Sequence, residues 1–509
     1  MWECSVGWQQ AQNSNHSRAR NPYCPFQKFC IFLHGEEPES VLAEREYLRD
    51  RVDTLEFAMD FSNHQLKKLQ EHVKELEDEK DHLQKELSDA LRDPFTKYKK
   101  KDPAASTAKR GAPIGHQGHF RSNPDVIDKT LDVYLDRCPI CGGESISPCN
   151  HTTEHIQEDF EDGKLTATCF VHCYYWCPDC KHVVHGWGEN EIPNAFIGPD
   201  VRAKASFMRH EIKSSYNDTR RTLECFGNLK LSNAALVGFD KHMTRQGKPL
   251  YDALKQSLPE YSFMYADETG WKRDWLWVFT NPFITFFDID ESRGSQVVID
   301  HLGAYYNGIL ISDFYGAYRD KVGAFAKQKC MVHLLRDIKK LLEGDLKKHP
   351  DAERFLPLVK ELIQDAIFLH SQHSTFTSDE YRSGRKDILK RFRKLYRHAP
   401  LSHHESDNIR KRLITFQNEL FTFLKYPAIE PTNNISERAI RNSVRFRKLI
   451  FGNMTASGKL NIALAMTIIR TAMQRTLNPI EILRNIAVKG TTPELLKRFG
   501  LPTTMPQAP

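Results

Sequence analysis

The sequence predicts a multidomain α/β protein. It contains an N-terminal coiled-coil helix, a metal-binding segment, a helical region, and a mixed-sheet core with a helical insertion. Three observations carry this. An apolar seam recurs in alternating steps of four and three between residues 48 and 87. Two C-x2-C pairs, Cys138/Cys141 and Cys177/Cys180, stand 35 residues apart. From residue 261 short apolar segments alternate with helical ones, and two of the apolar segments run out into aspartates, Asp267 and Asp313.

Composition sets the frame. The chain has 509 residues, 40% hydrophobic and 27% charged, with a formal net charge of +6, which is ordinary for a soluble globular protein. No apolar run reaches 18 residues, so no membrane-spanning helix is expected, and no charged-then-apolar leader opens the chain. Twelve cysteines are too few for a disulfide scaffold. Four of them in C-x2-C pairs point to metal binding in a reducing compartment, a cytosol. Basic residues gather at 97–110 and 438–448, which points to a polyanionic partner.

Residues 1–36 form a poorly defined N-terminal extension; Cys4, Cys24, Cys30 and His34 have no metal-ligand spacing. Residues 37–93 read as a leucine-zipper-like helix. Leu48, Val52, Leu55, Met59, Leu66, Leu69, Val73, Leu76, Leu83 and Leu87 hold one frame, interrupted by Ser62 and Lys80. A seam that narrow fits a coiled coil and predicts self-association through residues 41–92; the alternative is a long surface helix packed on its own domain. Pro94 ends the helix. Residues 94–130 are a basic linker rich in Lys, Gly, Pro and Ala, either lying along phosphates or solvated.

Residues 131–190 are the metal-binding domain. A C-x2-C turn offers two thiolates on adjacent corners of a tetrahedron, and two such turns complete a closed Zn2+ shell. Cys138, Cys141, Cys177 and Cys180 are therefore expected to hold one structural Zn2+. The spacer exceeds the ordinary ribbon length, so at least a hairpin lies between, and "TATCFVHCYYWC" suits its second strand. Cys149, Cys169, Cys173, His151, His155, His172, His182 and His185 are substitute ligands nearby. Residues 191–258 read as helices, with a turn at Gly227 and Ser232 as an N-cap. That pattern is compatible with a helix-turn-helix and equally with an ordinary helical hairpin.

Residues 259–490 carry the chemistry, with a helical insertion at about 336–430 and a tail at 491–509. "YSFMYADETG" reads as a strand ending in Asp267; "WLWVFT" and "FITFFDID" follow as a meander, "SRGSQVVIDHLG" as a helix, and "GILISDFYGAY" as a strand ending in Asp313. Carboxyl ends of strands in an α/β sheet face the ligand crevice. Two aspartates converging there repel unless a cation lies between them, and hard oxygen ligands favour Mg2+ or Mn2+. Glu268, Asp274, Asp288 and Asp290 are rivals, the last two ranked as solvated. Glu437 opens the segment "NNISERAIRNSVRFRKLIFG". One account makes it the third position of a capping box begun by Asn434. The other makes it the acid that completes a metal site at the head of a basic face, since Glu437, Arg441, Arg445 and Lys448 are spaced four, four and three. Arg438 and Arg447 add to the charge that would hold DNA phosphates. In the insertion, Lys390, Arg391, Arg393, Lys394 and Arg397 form basic faces that either contact DNA or are solvated. Cys330 and His333 are half of a metal site, or packing residues.

"ADETGW…WLWVFT", "ISDFYGAYR", "KCMVHLLRDIKKL" and "PTNNISERAIRNSVRFRKLIFGN" resemble the insertion-sequence 66 family of bacterial transposases. The order of zipper, basic stretch, two C-x2-C turns, helices and core is similar over roughly residues 40 to 490. The resemblance implies an RNase H-like DDE core whose acidic triad falls on Asp267, Asp313 and Glu437. It implies two Mg2+ (or Mn2+) per active site, with Asp267 bridging. Water would cut DNA to release a 3′-OH at the element's end, and that 3′-OH would attack target DNA. It also implies homo-oligomers, accessory proteins of the same element, and a bacterial cytoplasmic, nucleoid-associated location. Two readings compete: a catalytically inactive, domesticated DNA-binding and zinc-binding descendant, and a stand-alone nuclease.

Overall fold

The computed structural model describes residues 121–450 and 455–503, together with Gln70, Val73 and Lys74, which are helical. The extension, nearly all of the heptad seam and most of the basic linker lie outside the described residues. Residues 119–509 form one compact unit, which contains every element below.

The first sheet has four strands: β1 (Lys129–Val133), β2 (Ser147–Glu161), β3 (Lys164–Cys177) and β4 (His182–His185). β3 is central, antiparallel to β2, parallel to β1 and antiparallel to β4. The long β2–β3 hairpin fills the spacer between the two C-x2-C pairs. Its turn residues, Asp162 and Gly163, both have positive φ, 47° and 81°, as expected of an Asp-Gly hairpin turn.

Three helices follow: α1 (Pro199–His210), α2 (Tyr216–Gly227) and α3 (Asn233–Ser257). Ser232 caps α3 by accepting from Ala235 N at 3.1 Å, as its sequence position suggests. The core sheet then comprises β5 (Phe263–Trp271), β6 (Asp274–Asn281), β7 (Ile284–Asp290), β8 (Tyr305–Ser312) and β9 (Gly323–Lys329), with α4 (Ser295–Leu302) between β7 and β8. The spatial order is β7-β6-β5-β8-β9. The first three strands are an antiparallel meander, while β5, β8 and β9 run parallel. Helices α5 (Met331–Leu342), α6 (Pro350–Ser371), α7 (Ser378–Tyr396), α8 (His404–Thr415) and α9 (Thr422–Lys425) follow, over the stretch the sequence suggests as an insertion. The chain closes with α10 (Asn434–Ile450), α11 (Ala456–Gln474), α12 (Pro479–Lys489) and α13 (Pro493–Arg498).

The period-2 alternation of strands divides the core in two. Tyr265, Ile309 and Ile311 face one way and join the apolar cluster of the insertion, with Leu334, Phe355 and Phe423. Met264, Ala266 and Leu310 face the other and join a cluster built on α3, α11 and α12, including Leu250, Ile468 and Ile486. Most of the apolar stripe of α3 belongs to this core. At its middle, a Cβ on Gly247 would come within 3.2 Å of Ile468 and 3.3 Å of Leu464, so glycine allows α3 and α11 to approach. The edge strand β7 has outward N–H groups with no neighbouring strand; Thr471 and Thr467 of α11 accept from Thr285 N and Phe287 N at 3.2 and 2.9 Å. That satisfies the edge without another strand.

Candidate active site and cysteine cluster

β5 does not end at Asp267, as the apolar run suggests. It continues to Trp271 and turns at Lys272, whose φ is 59°. What ends there is its pairing with β8, last seen at Tyr265↔Ile311. Two residues beyond that last pair stand Asp267, still within β5 and on the same strand face as Tyr265, and Asp313, one residue past the end of β8. Asp267 is half-buried and its Oδ1 accepts from Glu268 N at 2.9 Å. Asp313, just past β8, accepts from Tyr315 N at 2.8 Å. The Asp267 carboxyl is pushed up to about 8, first by burial, then by the charges of Glu268 and Asp313 and, more weakly, of Glu437. The three acids thus share one electrostatic neighbourhood.

The rival acids are committed elsewhere. Glu268 points to the opposite face, where Tyr318 Oη donates to it at 2.6 Å and Arg293 forks onto Oε1 at 2.9 and 3.1 Å. Asp274 pairs with Lys459 at 2.9 Å, and Asp290 accepts from Ser292 N at 2.6 Å. Asp288 is not the solvated residue its position at a strand end suggests: it is partly buried against His301 Nε2 at 3.0 Å, because β7 carries it over α4.

Glu437 comes from the first turn of α10, which packs on β5 and β6. The preceding loop is stitched to β5: Glu430 N donates to Tyr265 Oη at 2.8 Å, and Asn433 Nδ2 to Ala266 O at 2.9 Å. The residue before the helix is Asn433, not Asn434, and its side chain reaches the strand instead of capping. The Glu437 carboxylate is not used in a capping box either. Its buried Oε1 has no hydrogen-bond partner and lies 3.8 Å from His333 Nε2. Cys330, on the same turn as His333, is buried and accepts from Asn433 N at 3.1 Å. Cys330, His333 and Glu437 form a set whose ligand atoms all lie within 4.8 Å of one another; Asp267 and Asp313 are outside that set.

Arg438, Arg441, Arg445 and Lys448 are exposed on α10, and Arg441 Nη2 is 3.9 Å from Glu437. Arg447 departs from this group. It is partly buried and donates to Gly270 O at the end of the β5–β6 hairpin, one residue round from the exposed row. In the insertion, Arg391 is neutralised by Asp365 at 2.7 Å, while Lys390, Arg393, Lys394 and Arg397 remain exposed.

A residue that the sequence did not single out stands behind Asp313. Lys329 is fully buried at the end of β9; its Nζ donates to Asp313 O at 3.0 Å and Ser312 Oγ at 3.1 Å, with Glu419 at 3.8 Å. Burial lowers its pKa to about 8. A lysine directly before the Cys330 turn was the available signal.

In the first sheet, Cys138, Cys141, Cys177 and Cys180 gather with all sulfurs within 4.8 Å. Cys138–Cys180 and Cys141–Cys177 are 3.6 and 3.5 Å apart. Ligands at the Zn–S length of about 2.3 Å lie roughly 3.8 Å apart in a tetrahedron, so the four sulfurs fit a single Zn2+. The substitute ligands His155 and His172 are not part of this cluster.

The architecture defines an α/β protein with a mixed sheet, acids at the end of its parallel ladder and a basic helix beside them. The model of the transposase IS66 family matches residues 195–459, a little over half of the chain, and the chain belongs to that family. No curated protein matches it. Among the described residues no helix is long and apolar enough to cross a membrane.

Proposed function

We propose that this chain is a DDE transposase with an RNase H-like core, in which Asp267, Asp313 and Glu437 hold two Mg2+ or Mn2+ ions. The observations that support the reading are the parallel pairing of β5 with β8, which runs toward Asp267 and Asp313, and the charges of Asp313 and Glu437 acting on Asp267. The meander followed by two parallel strands supports the RNase H-like assignment. In a two-ion site the acids would divide between the ions; Glu437 groups most tightly with Cys330 and His333 and not with the two aspartates. When bound, the ions supply an activated attacking oxygen and stabilise the leaving one.

The side chains position and charge the site. Lys329 fixes the Asp313 backbone, and the Asn433–Ala266 bond fixes the start of α10 against β5. Arg438, Arg441, Arg445 and Lys448 hold phosphates of element-end or target DNA, and Arg447 braces the hairpin. Cys138, Cys141, Cys177 and Cys180 hold one structural Zn2+. Oligomers through residues 41–92, accessory proteins and a nucleoid location belong to the same reading.

The test is cleavage of DNA bearing the element's own ends. Asp313→Asn and Glu437→Gln are expected to abolish Mg2+-dependent cleavage while DNA binding survives. Normal cleavage by Glu437→Gln removes Glu437 from the site. Binding without cleavage in the unaltered chain, with the element's accessory proteins supplied, identifies an inactive, domesticated descendant.

A further inference from the structure

β2, β3 and the loop after β4 bring together a second group of ligand-type side chains. His155 lies opposite Phe170 in the β2–β3 register, and His172 opposite Thr153, so the two imidazoles sit diagonally on one face of the hairpin. Glu191 is delivered to that face by a pinned loop: Gln157, two residues along β2 from His155, donates to Asn190 O at 3.0 Å and accepts from Ile192 N at 2.9 Å. The Glu191 side chain is 0% exposed and that of His172 3%. His172 Nε2 lies 2.9 and 3.0 Å from the two carboxylate oxygens, His155 Nδ1 contacts Oε1, and Gly188 N donates to Oε2 at 2.7 Å. All three ligand atoms lie within 4.8 Å of one another.

A buried carboxylate requires a cationic partner. Among the described residues the ion-pair partners of Glu191 are these two imidazoles, with no lysine or arginine. Two imidazoles and a carboxylate, drawn from three chain segments, form a donor set suited to divalent first-row ions, Zn2+ foremost. Ligands at the Zn–N and Zn–O lengths of about 2.0–2.1 Å stand roughly 3.3 Å apart; His172 Nε2 and the Glu191 oxygens, at the hydrogen-bond lengths of 2.9 and 3.0 Å, would open by a few tenths of an ångström to admit the ion. We propose that His155, His172 and Glu191 form a second Zn2+ site, separate from the four cysteines, which fastens the loop leading to α1 onto the β2–β3 hairpin.

The full chain carrying Asp313→Asn and Glu437→Gln, so that the core acids contribute no ion, is the background for the test. After desalting it is expected to hold two zinc ions per chain by mass spectrometry, falling to one with Glu191→Gln. Zinc-edge X-ray absorption of the background protein, with both clusters native, is expected to show imidazole scattering beside sulfur. One zinc per chain in an all-sulfur shell, unchanged by Glu191→Gln, overturns the proposal and leaves a glutamate paired with two histidines. The absorption measurement does not depend on whether Glu191→Gln folds.

Discussion

Asp267 concentrates the cost of the site in one side chain. Its carboxyl, pushed up to about 8 by burial and then by neighbouring acids, stands far above the ordinary value of about 3.9 in an unfolded chain. Between those values the native state binds a proton that the unfolded state does not, so stability falls as pH rises from about 4 through about 8. In chelator, the melting temperature is expected to drop between pH 5 and 8.5, and Asp267→Asn to flatten that slope. Added Mg2+ should raise the melting temperature more at pH 8 than at pH 5, because it binds the charged carboxylate. A slope unaltered by Asp267→Asn contradicts this account. Lys329 makes a related case. Lys329→Met removes the donors to Asp313 O and Ser312 Oγ and leaves Glu419 without its cation. An unmet buried group costs about 1–3 kcal/mol, measurable as a lower urea midpoint. If Lys329 positions Asp313, the same variant needs more Mg2+ for cleavage while its DNA affinity stays unchanged.

Among the elements, α10 has two functions on two faces, and substitution separates them. Alanine at Arg441, Arg445 and Lys448 is expected to reduce the salt dependence of DNA binding by roughly 0.9 in log–log slope for each phosphate left unneutralised. Arg447→Ala should leave that slope alone and lower stability, since its guanidinium is held by Gly270 O. In α11, Thr467→Val leaves Phe287 N–H buried without its acceptor and is expected to cost about 1–3 kcal/mol in urea unfolding. The strands β5 to β8 and helix α4 were legible because each is an apolar run bounded by turn residues. β9 was not, because "GAFAKQK" ends in polar residues; Gln328 and Lys329 are buried through hydrogen bonds rather than apolarity. The stretch 408–426 reads as one helix, with no Gly or Pro to break it. It breaks between α8 and α9 because Lys329 N takes Glu419 O and Thr422 Oγ1 takes Lys327 O. Tertiary bonding to β9 overrides helix propensity there.

At the scale of the molecule, the sequence supplied the chemistry of each cluster but not always its membership. Asp267, Asp313 and Glu437 were legible as acids at strand and helix ends, but the Asn433–Ala266 bond that ties the start of α10 to β5 spans 167 positions of chain and has no local signature. Likewise His155 and His172 were visible as spare ligands near the cysteines, while their partner Glu191 was hidden in a loop. The way the first sheet joins the core also emerges only in three dimensions. Asp159 of β2 accepts from Asp200 N and Val201 N at 3.1 and 2.8 Å, capping α1, and α1 packs on α11 and α12. The cysteine cluster sits at the other end of that sheet, with a small apolar core of its own formed by Val184, Leu135, Ile146 and Tyr175. Losing its ligands should therefore melt that end alone, because the attachment through Asp159 and α1 does not pass through the cysteines. In Cys138→Ser/Cys177→Ser, about one zinc is expected to be lost. Amide protection should fall in residues 135–150 and 174–185 while β5, β6 and β8 keep theirs, as local opening below the global unfolding energy allows. Hydrogen exchange read by mass spectrometry distinguishes the outcomes. Protection lost across β5–β8 as well would mean that the zinc end and the acid-bearing core unfold as one unit, and that the metal of the first sheet stabilises the geometry of Asp267 and Asp313.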